Sequence, residues 1–491
     1  MTACAADTAD RLSDTSDGAD SNDISKSAEE TVSGEDNGND MKTGDRKWTL
    51  GYGSAEIIPD GYNAETGRFD SVYYVAGYRN GNEATGMLDP QCARAVYISD
   101  NLGNNIVMAA VDCVGLARED IAKIREKLTD VAEKYNISAI HIAATHTHAG
   151  CDTLGLWGPV GYDGKNEAFM EKLIDRTQYA IRMAVENIRE GEMFFGSADT
   201  PGMQRDSRPP QVYDTNIYRM RFVPSDGSAG VQIINYGAHP EALRSENSKI
   251  SADYPAYIGK KIKEETGDDY VFFAGALGGL IMTHRQKNET GTEYPVEKNV
   301  VVTGEILAGY VLGIKNEIKI NPAISSATRV FDIDLDNQLY VTMSFLGILS
   351  AKPVEGGGEF KLAMRTEATL LRLGSGESSV SIAMVPGEIF PELVYGGDAG
   401  DIAANPEMQN PATLSDITGA ENLLVFGLCN DEIGYIVAPN DYLLHETNPF
   451  LEEGTDKFGR SHYEETNSVG LGAARMITDM FAALAAELEG K

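Results

Sequence analysis

The pattern of residues 106–145 is that of a β-α-β unit, and no other feature of the sequence limits the possible folds as strongly. Residues 106–113 form a nearly unbroken apolar run, which predicts a strand buried on both faces. Apolar residues then recur at helical spacing from Ile121 to Val131, and Asn136 is a suitable helix stop. Residues 137–144 return to a strand pattern. A ligand site is expected just beyond this second strand, because ligands in open α/β sheets gather at the carboxyl ends of strands.

Strand-like and helix-like segments continue to the end of the chain without an internal repeat. After an opening strand and turn at 52–59, strands are predicted at 93–99, 214–222, 231–236, 269–274, 380–385 and 423–428. Helices are predicted at about 166–189, in a short segment ending near Glu265, at 300–315 and at about 470–488. We therefore expect one large domain over residues 47–491, with an α/β fold of mixed, layered β-sheets flanked by helices.

The first 46 residues differ from the rest, because Asp and Glu mix there with Ser, Thr, Gly and Asn and few side chains could join a core. This composition predicts a disordered acidic tether. Residues 1–6 are similar to the end of a bacterial lipoprotein signal, in which small residues precede a cysteine that receives a lipid. We therefore expect a lipid anchor at Cys4 and an extracellular or cell-surface location on a bacterium. The alternative is a free cysteine in a flexible tail.

The formal net charge of -34 excludes some classes of partner. With 491 residues and a hydrophobic fraction of 42%, the chain can bury a substantial core. Its acidic surface repels nucleic acid phosphates, so binding of DNA or RNA is not expected. No apolar run approaches the roughly 20 residues that a membrane-spanning helix needs. The expected partner is a small-molecule or lipid substrate, and the sequence indicates no oligomeric state.

Two histidines stand at alternate positions in the segment ATHTHAG at 144–150. On an extended backbone, alternate residues point to the same side, so the rings of His146 and His148 can reach one small object. That object is most often a metal ion, although an exposed His-x-His pair on a strand is also common. The sequence has only 7 His, and His239 follows another predicted strand. This distribution favours a metal site.

Glu388 and Tyr435 also come directly after predicted strands, so strands that share layered sheets would bring five polar side chains together. Imidazoles and a carboxylate suit a catalytic zinc site, which keeps a position open for water. Zinc lowers the pKa of its water to about 7, and a neighbouring histidine can move the proton. This chemistry predicts hydrolysis of an amide or ester. Taken singly, a residue such as Glu388 is more often a solvated carboxylate, and one such as Tyr435 is more often a core aromatic residue.

Five segments together resemble the neutral/alkaline non-lysosomal ceramidase family, in its catalytic N-terminal domain. They are THTHAG at 145–150, AHP at 238–240, SADYP at 251–255, PGE at 386–388 and GLCN at 427–430 with YI at 435–436. The resemblance implies a Zn²⁺ site with the ligands His146, His239, Glu388 and Tyr435. It also implies that His148 is the acid/base histidine beside the metal. A further tyrosine that supports the developing oxyanion is matched by Tyr463, with Tyr442 as the competing candidate.

The chain departs from the family pattern at several positions. Ala276 and Leu280 stand where the family has a serine and an aspartate, and Cys151 replaces a proline. The immunoglobulin-like domain that follows the catalytic part in true ceramidases is also missing from the sequence. The expected activity is zinc-dependent cleavage of an N-acyl amide bond, as in conversion of ceramide to a sphingoid base and a fatty acid. The alternatives are a zinc hydrolase of a non-lipid amide or ester, and a non-catalytic surface binding lipoprotein that retains the fold.

Overall fold

Two β-sheets lie face to face between outer layers of helices in the computed structural model, which describes residues 46–397 and 400–490. One apolar core lies between the sheets and contains Phe273 from one and Phe426 from the other, whose rings stack with centroids 4.1 Å apart. Other cores join each sheet to its helices. The predicted α/β fold of mixed, layered sheets is confirmed. Residues 1–45 of the predicted acidic tether, including Cys4, lie outside the described residues.

The larger sheet is mixed and mainly antiparallel. Its strands lie side by side in the order Asp269–Ala274, Val231–Tyr236, Asn216–Pro224, Ile188–Asp199, Trp48–Ile57, Gln91–Ser99, Asn105–Val111 and Ala139–Ala144, with Ile318–Ile320 also paired to Ile188–Asp199. The first two strands of this order are parallel to each other, and so are the last two. The last pair is the predicted β-α-β unit, and it is confirmed.

The strand Asn105–Val111 is apolar from Ile106 onward because both of its faces are buried there. Val107 and Val111 pack in the core beneath the helices, whereas Ile106 and Met108 pack in the core between the two sheets. Alternate residues of a strand point to opposite faces, so a strand between two apolar layers needs apolar residues at consecutive positions.

The second sheet is smaller and faces the first. Its strands lie in the order Ile324–Asp334, Leu362–Ser375, Ser378–Met384 and Leu423–Phe426, with Val354–Glu355 paired to Leu362–Ser375. Short strand pairs lie outside the two sheets: Tyr62–Asn63 with Arg68–Phe69, Gly86–Met87 with Lys249–Ile250, Gln204–Asp206 with Ile281–Thr283, Glu388–Ile389 with Tyr435–Ile436, and Gly454–Thr455 with Ser461–His462.

The helices cover the outer faces of the sheets. In the described residues, the α-helices are Arg118–Glu126, Thr129–Lys134, Glu167–Glu186, Tyr254–Thr266, Val296–Gly313, Gln338–Phe345, Glu392–Tyr395, Leu414–Thr418 and Ala473–Glu489. Short 3₁₀ turns lie at Gly400–Ile402, Pro439–Asp441 and Glu464–Asn467. None of the helices in the described part of the chain is both long and apolar enough to cross a membrane.

The single helix predicted from Ile121 to Asn136 is wrong, because the segment forms two helices. Leu128 leaves the helical conformation, with φ -113° and ψ 8°, and its N–H donates to the carbonyl of Arg125, three residues back. The tightened turn keeps Leu128 fully buried in the core. The helical spacing of the apolar residues is therefore real, although the helix is interrupted between them.

The ends of four strands meet at the segment Gly427–Asn430. The N–H of Gly427 donates to Ala274, and Leu428 accepts from the N–H of Ala144, at 3.0 and 3.1 Å. Cys429 donates to Val385 at 3.0 Å. A Cβ at Gly427 would lie only 2.9 Å from the carbonyl oxygen of Gly275, so this close approach requires glycine. The segment thus joins the strand ends of both sheets at one place.

Candidate metal centre

Three imidazole rings lie together where strands of the larger sheet end. His146 and His148 follow Ala139–Ala144, and His239 follows Val231–Tyr236. One ring nitrogen from each histidine lies within 4.8 Å of the others. His146 and His239 are buried, and His148 is partly exposed. The structure therefore brings together the three histidines that the sequence singled out, at the predicted end of the sheet.

The hydrogen bonds of the rings show that this cluster suits a cation. The Nδ1 atoms of His146 and His239 lie 2.6 and 2.7 Å from the backbone carbonyl oxygens of Val114 and Ile281. A carbonyl oxygen only accepts, so each Nδ1 carries a proton, and each ring that has lost the proton from Nε2 turns that lone pair into the cluster. The Nε2 atoms of His146 and His148 are only 3.1 Å apart. Lone pairs this close repel one another unless a proton or metal ion lies among them.

Glu388 adds a carboxylate to the cluster. Its Oε2 lies 3.3 Å from Nε2 of His146 and 3.0 Å from Nε2 of His239. Burial by itself would lower the pKa of His239, but the hydrogen bond with Glu388 and nearby acidic charge raise it to about 9. Burial opposes ionisation of Glu388 as well, yet the two imidazoles hold the pKa of Glu388 well below its usual range. The arrangement stabilises positive charge, and its nitrogen and oxygen donors are those that zinc takes.

Tyr435 stands beside Glu388 as its register partner in a short parallel strand pair. Its buried side chain lines the same pocket as His146, His148 and Glu388. Burial raises the pKa of Tyr435 well above the usual range, and the neighbouring Glu388 charge acts in the same direction. The phenol is therefore protonated in the metal-free protein, and only a bound cation would favour the tyrosinate.

His148 is held by a carboxylate that the sequence analysis did not select. Its Nδ1 lies 2.8 Å from Oε1 of Glu241, a buried residue to which Tyr78 also hydrogen-bonds. Burial raises the pKa of Glu241, but His148 outweighs this effect and holds that pKa well below its usual range. Burial lowers the pKa of His148. The spacing His239-Pro240-Glu241 is the only sequence signal that could have pointed to this carboxylate.

An apolar pocket opens beside the cluster and holds about 760 Å³ of empty space, counting the part open to solvent. Its apolar lining consists of Val114, Ala117, Leu154, Leu156, Trp157, Leu349, Ala351 and Met364. Tyr463 lines this pocket too, and it is partly exposed. Burial and the nearby Glu388 charge raise the pKa of Tyr463 to about 12, so its hydroxyl keeps its proton. Tyr442 lies elsewhere, with its buried hydroxyl 3.1 Å from Oγ of Ser468.

Arg208 fixes the backbone on which Tyr463 stands. Its buried guanidinium donates to Glu464 at 2.8 Å and to Glu465 at 2.8 Å, and both of these residues directly follow Tyr463. It also donates to Asp441 at 3.1 Å. The guanidinium and the carboxylates are almost completely buried, so this network holds one conformation rather than a mobile surface contact.

Glu432 is a second carboxyl group that the sequence analysis did not select. It lines the apolar pocket, and its Oε1 accepts the N–H of Gly434 at 2.8 Å. Its Oε2 has no hydrogen-bond partner among the described residues. Burial, reinforced by the charge of Glu388, raises the pKa of Glu432 well above its usual range. A protonated carboxyl at this place can donate a hydrogen bond to a polar group in the pocket.

The residues that depart from the family pattern lie around the cluster rather than within it. Ala276 is buried in the core that includes Ile389 and Phe390. Leu280 has a positive φ of 63°, just before the strand that includes Ile281. Cys151 has a buried free thiol, and its backbone forms an isolated β-bridge with the backbone of Val75. The imidazole and carboxylate cluster does not depend on their side chains.

Comparison with known proteins agrees with this geometry. Residues 61–275 match the family described as neutral/alkaline non-lysosomal ceramidase, N-terminal. The match covers less than half of the chain. The matched part of the chain contains His146, His148 and His239, whereas Glu388, Tyr435 and Tyr463 lie beyond it. No functionally curated protein sequence matches the chain significantly.

Solved ceramidase structures share the fold. A crystal structure of neutral ceramidase from Pseudomonas aeruginosa is 16% identical and superposes with a TM-score of 0.68, covering 91% of this chain and 75% of that chain. A structure of ceramidase complexed with C2 is 15% identical with a TM-score of 0.68, and the coverage is 91% and 76%. The match over residues 61–275 and the shared fold thus make this chain similar to ceramidases.

Proposed function

We propose that this chain is a zinc-dependent hydrolase that cleaves an N-acyl amide bond, with ceramide or a similar lipid amide as substrate. The observation that carries the proposal is the cluster of imidazole lone pairs and one carboxylate that opens on an apolar pocket. The match of residues 61–275 to the ceramidase family supports hydrolysis of an amide bond. The apolar lining supports a substrate with a hydrocarbon chain, because burying such a chain removes apolar surface from water.

The proposed zinc ligands are His146, His239, Glu388 and Tyr435. Zinc in such a set lowers the pKa of a bound water to about 7 and polarises a substrate carbonyl. The backbone carbonyls that accept from Nδ1 of His146 and His239 fix the ring orientation and leave both Nε2 lone pairs available. These bonds support a site that is formed before the metal enters.

His148 is the proposed acid/base residue. Burial lowers its pKa, so the ring is neutral at rest and its Nε2 can accept the proton released during attack on the carbonyl. Glu241, at 2.8 Å from Nδ1, stabilises the imidazolium that forms and fixes its orientation. The proton then passes from Nε2 to the nitrogen of the leaving amine, which completes cleavage of the amide bond.

Tyr463 is the proposed donor to the carbonyl oxygen as it gains negative charge. Its pKa of about 12 keeps the hydroxyl protonated at neutral pH, and its place in the pocket lining puts it beside the acyl group. A hydrogen bond that strengthens as the charge develops lowers the barrier. Ala276 lies in the core outside the pocket lining, so this account assigns it no role in the reaction.

A turnover assay separates the proposal from its alternatives. Zinc-loaded protein should release fatty acid from ceramide, with activity lost on chelation and restored by added zinc. Hydrolysis of simple amides or esters without any ceramide cleavage would instead identify a non-lipid hydrolase. Stoichiometric zinc with no hydrolysis of either class would identify a binding protein that retains the fold.

We also propose that the chain acts outside the cell or at its surface, anchored through Cys4, on the sequence evidence alone. Mass spectrometry of the amino-terminal peptide from the native host should show diacylglyceryl modification at Cys4. An unmodified thiol in membrane-free extracts would contradict the anchor.

A further inference from the structure

A second pocket, rich in positive charge, lies next to the metal centre. Its cationic and imidazole side chains, named here the basic pocket, are Arg205, Arg244, His284, Arg285 and Lys287, and Tyr78 forms part of its wall. It holds about 940 Å³ of empty space, counting the part open to solvent, and Glu246 and Glu293 are its acidic lining residues. Such a concentration of positive charge is unexpected in a chain of net charge -34.

Most of this positive charge is not neutralised by carboxylates. The guanidinium groups of Arg205 and Arg244 contact the sulfur of Met282 at 2.9 and 2.6 Å. A thioether is a weak acceptor, and it carries no negative charge. Within the described residues, neither arginine forms an ion pair, and the same is true of Lys287. Arg285 alone of the pocket's cations has such a partner there, Glu293 at 3.4 Å.

These charges affect the pKa of His284, which lines the same pocket. Burial lowers its pKa, and the neighbouring Arg205, Arg244 and Lys287 lower it further. The pocket therefore disfavours additional positive charge and favours an anion. Arginine is well suited to bind phosphate or carboxylate oxygens, because its planar N–H donors match their geometry.

The wall between the basic pocket and the metal centre is thin. Gly77 lines the apolar pocket while the next residue, Tyr78, lines the basic pocket, and the Tyr78 ring lies 5.5 Å from the ring of His148. The N–H of Arg244 donates to the carbonyl of Glu241 at 3.0 Å. A group held in the basic pocket is therefore close to the residues that surround the reacting bond.

We infer that the basic pocket binds a small oxyanion, a phosphate or carboxylate group, either free in solution or carried on the amine side of the substrate. The site goes beyond the proposed hydrolase function, and binding of a free oxyanion does not depend on that function. Only the version in which the substrate carries the anion rests on amide hydrolysis.

The first test is a calorimetric titration of the metal-free protein with inorganic phosphate, which removes any phosphate binding to zinc. Arg205 and Lys287 are exposed and form no ion pair among the described residues, so Arg205→Gln/Lys287→Gln should fold normally. We expect this variant to bind phosphate at least about tenfold more weakly. The matched control is Lys319→Gln/Arg329→Gln, which removes the same charges from exposed residues paired with Glu192 and Glu487. Its affinity should not change.

Absence of phosphate binding to the wild type, or equal loss in the control variant, would overturn the inference.

The second test compares zinc-loaded proteins on two N-acyl amides that differ by one carboxylate on the amine. A KM raised about tenfold for the carboxylated amide alone, in the Arg205→Gln/Lys287→Gln variant, assigns the oxyanion to the substrate. If this variant loses phosphate binding but its KM values for both amides are unchanged, the oxyanion is a free ion. If no amide is hydrolysed, the proposed function fails while the titration still decides the anion site.

Discussion

His146 is both a proposed metal ligand and a residue with a strained backbone conformation. It has a positive φ of 67°, in the left-handed region that costs a residue with a side chain about 1–2 kcal/mol. The turn comes directly after Ala139–Ala144 and aims the ring toward His239, with which it forms a ring pair at 4.9 Å. Its bond to the carbonyl of Val114 holds the orientation. We attribute this conformation to the proposed metal binding, because such strain persists only where the surroundings fix it.

Loss of a ligand and loss of the acid/base residue should have different effects. His146→Ala or His239→Ala should abolish both zinc content and activity, because each substitution removes one of the two imidazole ligands and leaves a single imidazole with two oxygen donors. His148→Ala should keep the zinc and lower the rate on the order of 10²–10⁴-fold, as expected for a lost acid/base group. Metal analysis and turnover measurements on the three variants check this. Stoichiometric zinc in His146→Ala or His239→Ala would show that the substituted histidine is not a zinc ligand. Full activity in His148→Ala would show that His148 is not the acid/base residue.

Glu392 provides a pH-dependent prediction away from the metal centre. Burial raises its pKa to about 7, above the ordinary value of 4.5 that it has in the unfolded chain. Its contribution to stability is therefore present below about pH 4.5 and is lost as the pH rises through about 7. The side chain of Glu392→Gln does not titrate. The free energy of unfolding of the wild type should therefore fall relative to that of this variant between pH 5 and pH 8. Urea unfolding at both pH values measures this change, and parallel curves would contradict it.

At the residue scale, the sequence could show which rare residues follow strands but not what holds them. His146, His148, His239 and Glu388 meet as their positions indicated. Glu241 was not predicted, because a single acidic residue after a histidine has no distinctive pattern. Its role depends on a contact with His148 that only the fold creates.

At the scale of elements, strands with simple apolar patterns were predicted well and strands with mixed patterns were missed. Val231–Tyr236 and Asp269–Ala274 have the predicted bounds. Leu362–Ser375 was not predicted, since its Leu, Ala, Met, Glu and Arg residues favour a helix and pairing on both sides overrides that preference. Ile188–Asp199 was missed because charged residues open it, and the preceding helix ends at Glu186 rather than at 189.

Arg208 is predicted to hold the element that presents Tyr463. Arg208→Met should leave several carboxylates buried without their partner and destabilise the fold by about 3–5 kcal/mol. Activity should fall further than stability explains, because Glu464 and Glu465 no longer fix the backbone of Tyr463. Thermal unfolding and kcat measured at a temperature where the variant is folded check both effects.

The matched control for this prediction is Arg365→Met. Arg365 is about half exposed and pairs with Asp332 at 2.7 Å on the surface. Exposed pairs contribute about 0–1 kcal/mol, so this variant should differ little from the wild type. Equal destabilisation by the two substitutions would show that the buried network has no special role.

At the scale of the whole molecule, the candidate ligands come from both sheets. His146 and His239 follow strands of the larger sheet, whereas Glu388 and Tyr435 follow strands of the smaller one. The sequence indicated a layered α/β fold, and the structure confirms it. The junction at Gly427–Asn430 could not be predicted, because it depends on positive φ values at Leu428 and Asn430 and on hydrogen bonds between distant strands.

A metal held by ligands from both sheets should stabilise the folded chain as a whole. At a free zinc concentration 1,000 times Kd, the gain in the free energy of unfolding is about 4 kcal/mol. Chelation should therefore lower the Tm of the wild type, and added zinc should restore it. The Tm of His239→Ala should not respond to either treatment. A response of the same size in that variant would place the stabilising metal elsewhere.

The central claim is that His146, His239, Glu388 and Tyr435 surround a single zinc ion. Anomalous diffraction from crystals at the zinc absorption edge tests it most directly. The account predicts one strong peak about 2 Å from a donor atom of each of these four side chains. No peak at this place in zinc-loaded crystals, or a peak bound by other residues, would contradict it.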